Sequence, residues 1–199
     1  MKIIGLVGGS GTGKTTIAAR LVARGAVHVD ADRIAHDLLV NNEGVVRAVE
    51  ERFGRGVFTG GSVDRKKLGR VVFGDRGALE DLNSIIHPAV MEVCRQRILE
   101  FESAGVVLAV VDAALLLEVA VPFEIDLVIA LRATRGEQER RLLEKGGATR
   151  EEIIARLDNQ ARLEESFGKA DVVVDTAKPL PAVLAEIDRV VDELLAGGA

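Results

Sequence analysis

Residues 8–15 have the types and spacing that most clearly point to chemistry. They read Gly-Gly-Ser-Gly-Thr-Gly-Lys-Thr and match the pattern G-x-x-x-x-G-K-[ST]. Successive glycines let backbone N–H groups converge on phosphate oxygens, because no Cβ atom stands in the way. Lys14 can bridge the β- and γ-phosphates of a nucleotide, and the Thr15 hydroxyl can ligate Mg²⁺. The segment predicts ATP binding by Gly9, Gly11, Thr12, Gly13, Lys14, Thr15 and Thr16.

Two aspartates follow apolar runs and are candidates for phosphoryl-transfer chemistry. Asp32 comes just after residues 27–29, where a carboxylate can orient an acceptor hydroxyl or accept its proton. Asp112 directly follows residues 106–111, in the pattern of a carboxylate that holds Mg²⁺ directly or through water. Each has a structural alternative, since Asp32 could N-cap the following helix and Asp112 could be a turn residue. A cap and a catalytic role for Asp32 are also compatible.

Two basic positions are further candidates. Arg140 and Arg141 follow residues 127–131, where related folds place a lid, and a guanidinium there can clamp phosphate and stabilise developing charge. The alternative is a solvated helix face, because glutamates are interspersed with them. His87 precedes Pro88 and interrupts a long helical pattern, so it could simply cap or kink a helix.

The elements that must position these side chains alternate along the chain. Short runs rich in Val, Ile or Leu predict buried parallel strands at residues 3–7, 27–29, 106–111, 127–131 and 172–174. Helical patterns lie between them, at residues 14–24, 35–53, 65–73, 78–102, 135–144, 150–167 and 181–195. This alternation predicts an α/β fold with a doubly wound parallel sheet of about five strands, of the P-loop NTPase type.

The domain organisation follows from the spacing of the strands. Residues 33–105 contain only helical and loop patterns, which is too much chain for a simple crossover, and predict a helical insert that binds substrate. Residues 133–167 predict a helical lid. No linker separates a second domain, so we expect one domain over residues 1–199, with its core at about residues 1–32, 106–132 and 168–199.

Composition excludes several classes of protein. Hydrophobic residues make up 48% of the 199, but aromatics only 3%, so the core must be aliphatic and stacking platforms for single-stranded nucleic acid are missing. The net charge of −5 argues against general polyanion binding. Cys94 is the single cysteine, which excludes an internal disulfide and a cysteine zinc cluster. Neither a signal peptide nor a membrane span is apparent, so we expect a cytoplasmic protein with no nucleic-acid or membrane partner.

The whole set of motifs resembles one family, the dephospho-CoA kinases. The order DAD, Asp-Arg, His-Pro, LLxE is more specific than the phosphate loop, and the resemblance covers nearly the whole chain. The motifs that carry it are residues 5–15 (GLVGGSGTGKT), 30–32 (DAD) with Ile34-Ala35, Phe53-Gly54, 64–68 (DRKKL), Val72-Phe73, His87-Pro88, 115–118 (LLLE), Arg141-Leu142, Gln160 and 170–175 (ADVVVD).

The resemblance implies ATP-dependent phosphorylation of the ribose 3′-hydroxyl of dephospho-CoA, the last step of coenzyme A synthesis. The aspartate that acts on this hydroxyl in the family falls on Asp32, and the lid arginine falls on Arg141. The helical insert would receive the pantetheine-bearing substrate. The residues implied in catalysis are Asp32, Lys14 and Arg141, and those implied in substrate binding are Asp32, Arg65, His87, Leu115 and Arg141. The metal positions are Thr15 and Asp112.

Four positions depart from the family pattern, and two other functions compete. Ala114 replaces a usual proline, Lys145 an arginine, Ser166 a basic residue and Thr176 an asparagine. A rival within the same fold is another small-molecule kinase, acting on a nucleoside, a nucleotide or shikimate. A rival of a different class is a regulatory protein that binds a nucleotide without catalysis. A nucleic-acid motor is disfavoured by the acidic charge and the short chain.

Overall fold

A computed structural model describes residues 1–72, 75–114, 116–161 and 163–197. The elements follow in the order β1 Lys2–Val7, α1 Lys14–Ala23, β2 Val27–Asp30, α2 Ala31–Asn41, α3 Glu43–Phe53, β3 Phe58–Thr59, β4 Ser62–Val63, α4 Arg65–Val72, α5 Arg76–Ser103, β5 Leu108–Asp112, β6 Leu127–Arg132, α6 Arg135–Lys145, α7 Arg150–Asn159, β7 Val172–Asp175 and α8 Leu180–Ala196. Short 3₁₀ helices cover Arg55–Val57 and Leu163–Lys169.

The chain divides into two compact units. Met1–Asp30 together with Arg97–Ala199 form one, called here the sheet unit, and Ala31–Gln96 form the other, called the helical unit.

The sheet unit is built on five parallel strands in the order β2-β5-β1-β6-β7. Every residue of β5 is buried, as are the last five residues of β1, because parallel strands are covered on both faces. Helices α1 and α8 contribute Ile17, Leu21 and Ile187 to the aliphatic core on this sheet. The expected α/β fold with a doubly wound parallel sheet of about five strands is confirmed.

Two aspartates close the amino-terminal edge of this sheet. Asp126 immediately precedes β6, and its Oδ2 accepts a hydrogen bond from the Ile3 N–H at 2.8 Å, while Oδ1 accepts one from Lys2 Nζ at 2.8 Å. Asp171 immediately precedes β7, and its Oδ2 accepts a hydrogen bond from the Val128 N–H at 2.7 Å. Each carboxylate therefore accepts a hydrogen bond from a strand N–H that lies beyond the backbone hydrogen bonds between the strands.

The helical unit departs from the expected pattern in two places. Residues 35–53 do not form one helix, because Asn42 ends α2 and caps α3 by accepting a hydrogen bond from the Val45 N–H at 3.0 Å. The unit also contains a hairpin of β3 and β4, whereas only helix and loop were expected. Gly60 and Gly61, at φ 59° and 86°, make its turn possible because left-handed backbone favours glycine.

One predicted helix is confirmed and another is shorter than expected. Helix α5 runs from Arg76 to Ser103 through Pro88, in agreement with the helical pattern at residues 78–102, so His87 does not cap a helix. The predicted helix over residues 150–167 stops at Asn159 and continues, after a turn, as a 3₁₀ helix. In the part of the chain that the structure describes, no helix combines the length and apolar character needed to cross a bilayer.

Candidate active site

The phosphate loop joins β1 to α1 in the sheet unit. Gly13 is the N-cap of α1 at φ 90°, and Gly11 has φ 77°, so both occupy left-handed backbone that suits glycine. Lys14 starts the helix, and its Nζ donates a hydrogen bond to the Gly8 carbonyl at 2.8 Å. The ammonium group is therefore folded over the loop.

The N–H groups of the loop fall into two sets. The Thr12 N–H donates to the Gly9 carbonyl at 3.3 Å, which is a bond within the loop. The N–H groups of Gly11, Gly13, Lys14 and Thr15 have no acceptor among the described residues. These four donors, at the start of α1 and beside the Lys14 ammonium, can bind the oxygens of a phosphate chain.

Arg141 on α6 reaches this loop, and Arg140 does not. Thr134 caps α6 by accepting a hydrogen bond from the Glu137 N–H at 3.3 Å. Arg141 Nη1 lies 3.3 Å from the Gly11 carbonyl oxygen, whereas Arg140 pairs with glutamates on the exposed face of the helix. Of the two interpretations of this pair, the solvated helix face fits Arg140, and the position facing the phosphate loop fits Arg141.

The Arg141 guanidinium is held in place by two residues. Its Nε donates to Glu137 Oε1 at 2.7 Å, and its Nη2 donates to the Thr176 carbonyl at 2.7 Å. The pKa of Glu137 is lowered to about 2 by its hydrogen bonds with Arg140 and then with Arg141. An ionised partner at neutral pH therefore orients the Arg141 side chain.

Thr176 is a site residue that the motifs did not identify. It follows β7 directly, it is buried, and its hydroxyl lies 2.8 Å from the Thr12 carbonyl oxygen, to which it can donate. The Thr176 hydroxyl oxygen also accepts a hydrogen bond from Arg141 Nη1 at 3.2 Å. The signal used for Asp112, a polar residue directly after an apolar run, falls on Asp175, so the sequence marked Thr176 only as a departure from the family pattern.

Gln160 is a second residue that reaches the phosphate loop from the helices that follow β6. It is the C-cap of α7, and its Oε1 accepts a hydrogen bond from the Ser10 N–H at 2.8 Å. The close approach of α6 explains why glycine stands at position 11, which the phosphate-loop pattern leaves variable. A Cβ atom on Gly11 would come within 2.7 Å of the Gln138 carbonyl oxygen on α6.

The candidate metal ligands are oxygen donors on two neighbouring parts of the sheet unit. Asp112 ends β5 opposite Leu6 of β1 and is buried, with its Oδ2 3.8 Å from His28 Nε2. The Thr15 hydroxyl is exposed at the start of α1. Hydroxyl and carboxylate oxygens suit Mg²⁺, which usually takes few protein ligands and shares phosphate oxygens and water. The described residues contain no cluster of three or more His, Cys, Asp or Glu that could hold a metal ion by themselves.

The remaining candidates lie in the helical unit. Asp32 is exposed and is the second residue of α2, so the alternative that it N-caps this helix is wrong. Arg65 is exposed at the start of α4, where the preceding Asp64 accepts hydrogen bonds from two backbone N–H groups of the first turn. His87 is half-buried in α5, and burial lowers its pKa. Leu115 lies outside the described residues.

Comparison with solved structures shows the same architecture in other proteins. TT1252 from Thermus thermophilus has a TM-score of 0.73 and 28% identity, and the match covers 100% of this chain and 98% of that one. Dephospho-CoA kinase from Campylobacter jejuni has a TM-score of 0.68 and 22% identity, with 100% of both chains covered. The second likeness supports the fold alone.

Comparison of sequences identifies the family. The chain is 38% identical over 188 residues to the dephospho-CoA kinase of Carboxydothermus hydrogenoformans, which covers 94% of this chain and 91% of the relative. It is 40% identical over 202 residues to that of Leifsonia xyli, with 99% and 98% covered. A family model described as dephospho-CoA kinase matches residues 2–181. The chain therefore belongs to the dephospho-CoA kinase family of transferases.

Proposed function

We propose that this protein transfers the γ-phosphoryl group of ATP to the ribose 3′-hydroxyl of dephospho-CoA. The observation that carries the proposal is the set of open N–H donors of Gly11, Gly13, Lys14 and Thr15, with the Arg141 guanidinium directed at the same loop. Family membership identifies the acceptor, because the relatives are named dephospho-CoA kinases and the match covers nearly their full length.

The phosphate loop binds and orients ATP in this proposal. The open N–H groups and Lys14 contact the β- and γ-phosphates, which fixes the γ-phosphorus for in-line attack. Arg141 stabilises the charge that develops on the transferred group, and Glu137 and Thr176 keep its guanidinium from turning away. Thr15 and Asp112 would hold Mg²⁺, and the bound ion would neutralise charge on the phosphate oxygens.

The acceptor is activated by a carboxylate. Asp30 ends β2 at the carboxyl edge of the sheet, and Asp32 comes two residues later in the chain. Asp32 orients the 3′-hydroxyl and takes its proton as the oxygen–phosphorus bond forms and the bond from phosphorus to the ADP oxygen breaks. The other proposed substrate contacts are Arg65, His87 and Leu115.

Direct detection of coenzyme A tests the proposal. The protein is incubated with ATP, Mg²⁺ and dephospho-CoA, and the products are resolved by mass. We expect coenzyme A and ADP in equal amounts, and no transfer to a dephospho-CoA analogue that lacks the 3′-hydroxyl. A parallel panel of nucleosides, nucleotides and shikimate separates this function from that of another small-molecule kinase. ATP binding without transfer to any acceptor would contradict the proposal and favour a regulatory protein.

A further inference from the structure

Gln160 is fixed at the point where the lid changes from one helix to the next. Its N–H donates to the Leu157 carbonyl at 3.2 Å, and its own carbonyl accepts from the Leu163 N–H at 3.0 Å. Within the following 3₁₀ helix, the hydroxyl of buried Ser166 donates a hydrogen bond to the Leu163 carbonyl at 2.7 Å. Backbone bonds on both sides therefore set the direction in which the Gln160 side chain leaves the lid.

The lid holds two peptide groups of the phosphate loop that flank a third. Gln160 Oε1 accepts from the Ser10 N–H at 2.8 Å, and Arg141 Nη1 donates to the Gly11 carbonyl at 3.3 Å. The peptide between Ser10 and Gly11 lies between these two contacts, and it carries the open N–H of Gly11. Since peptide groups are planar, fixing the planes on either side limits the rotation of the one between them. Gln160 therefore acts on a donor that it does not touch.

A glycine in the loop makes room for this contact. A Cβ atom on Gly9 would lie 3.3 Å from Gln160 Oε1, which is tighter than most Cβ contacts. Gly9 does not have a left-handed backbone, so alanine can adopt its conformation without strain. The missing side chain at position 9 therefore serves the approach of Gln160 and is not required by the backbone.

We propose that Gln160 is a positioning residue for ATP, which orients the phosphate-binding N–H groups through its bond to Ser10. The identity of the nucleotide rests on the proposed function. Without the Gln160 oxygen, the loop must be ordered by the nucleotide itself, so part of the binding free energy is spent on ordering. ATP affinity and turnover should then fall, while the fold of the ligand-free protein stays as it is.

Two substitutions remove the bond in different ways. Gln160→Leu keeps the volume but has no acceptor, and Gln160→Asn keeps the amide but is one methylene shorter. We expect each to weaken ATP and ADP binding by about tenfold in equilibrium titrations. The matched control is Gln96→Leu, an exposed glutamine on α5 that bonds to Glu92 of the same helix, and it should bind ATP as the parent does. A merely structural role would lower the unfolding temperature and leave the dissociation constant of the folded protein unchanged.

A double-mutant cycle tests the contact itself. Gly9→Ala should weaken ATP binding in the parent, where its Cβ presses on Gln160, and should cost much less in the Gln160→Ala background. Additive effects, or parental ATP affinity in both Gln160→Leu and Gln160→Asn, would overturn the proposal. Titration with ATP needs no acceptor, so the result is independent of whether dephospho-CoA is the substrate. Failure to form coenzyme A would count against the proposed function alone.

Discussion

The two edges of the parallel sheet treat backbone donors in opposite ways. At the amino edge, Asp126 and Asp171 accept from strand N–H groups that would otherwise lie beyond the ladder. At the carboxyl edge, the N–H groups of Gly11, Gly13 and Lys14 find no acceptor among the described residues. One edge is completed by the protein's own carboxylates, and the other is left to be completed by an anion.

This contrast separates stability from function within one sheet. An unpaired N–H costs stability unless water or a ligand satisfies it, so donors are left open where a ligand repays that cost. Carboxylates at the amino edge should therefore contribute to folding and not to turnover. Side chains at the carboxyl edge should do the reverse.

The largest effect is expected at Lys14. Lys14→Ala removes the ammonium group that lies over the loop, and we expect turnover to fall by roughly 10³-fold with no change in unfolding temperature. The matched control is Lys2→Ala at the amino edge, which removes the partner of Asp126 and should leave turnover unchanged. Steady-state rates and thermal unfolding measure the two effects. Equal losses of activity in both variants would break the comparison of the edges.

Asp32→Asn comes next. Asparagine keeps the shape but cannot accept a proton, so we expect kcat to fall by roughly 10²- to 10³-fold while ATP affinity barely changes. Asp37→Asn on the same helix is the matched control, because Asp37 is also exposed. Single-turnover transfer to dephospho-CoA measures the chemical step. Transfer at the parental rate would remove Asp32 from the mechanism.

Arg141→Ala is expected to lower kcat by roughly 10²-fold, and to lower it more than it raises the Michaelis constant for ATP. Arg189→Ala controls for the loss of a surface guanidinium, because Arg189 on α8 pairs with exposed Glu193 and, among the described residues, contacts neither Glu137 nor the phosphate loop. Steady-state kinetics at varied ATP concentration separates the two constants. A higher Michaelis constant with kcat unchanged would mean that Arg141 binds only ground-state nucleotide.

The smallest effect on activity is expected at Asp126. Partial burial raises its pKa, but hydrogen bonds from Lys2 and the Ile3 N–H outweigh this, so the pKa lies below its ordinary value. A carboxylate whose pKa is lowered by folding stabilises the protein at pH values above its pKa in the unfolded chain. This stability is lost as the pH falls through its pKa in the folded protein. Asp126→Asn should reduce the free energy of unfolding by about 1 kcal/mol at pH 7. The free energy of unfolding of this variant should also fall less steeply as the pH is lowered. Denaturant unfolding at several pH values measures this, and a loss of turnover would contradict it.

The sequence was sufficient for the parts of the protein that depend on local pattern. Short apolar runs identified all five strands of the sheet, because burial on both faces leaves few polar positions in their interior, of which His28 in β2 is one. The phosphate loop was identified for a similar reason, since its glycines and Lys14 occupy neighbouring positions in the chain. The helix break at Asn42 was missed because the residues on both sides of it have a helical pattern, and a single cap decides the boundary.

The contacts between distant segments could not be predicted in this way. Thr176 is 35 residues from Arg141 and 164 from Thr12, and its hydrogen bonds exist only once the sheet brings β7 beside β6. Gln160 was noted as part of the family resemblance, but nothing in its neighbourhood points to Ser10, 150 residues away. Residue type and spacing show which side chains can do chemistry, and the fold decides which of them meet.

The strand order also sets the timing of assembly during synthesis. Strand β1 is the first to be made, yet it lies at the centre of the sheet between β5 and β6. Ile3 must wait for Asp126, 123 residues later, before its N–H is paired. Such non-local pairing slows folding. The apolar β1 segment of the nascent chain stays without its partner strands until most of the chain has left the ribosome. The nucleotide-binding loop, although encoded in the first fifteen residues, is therefore among the last parts of the protein to become competent.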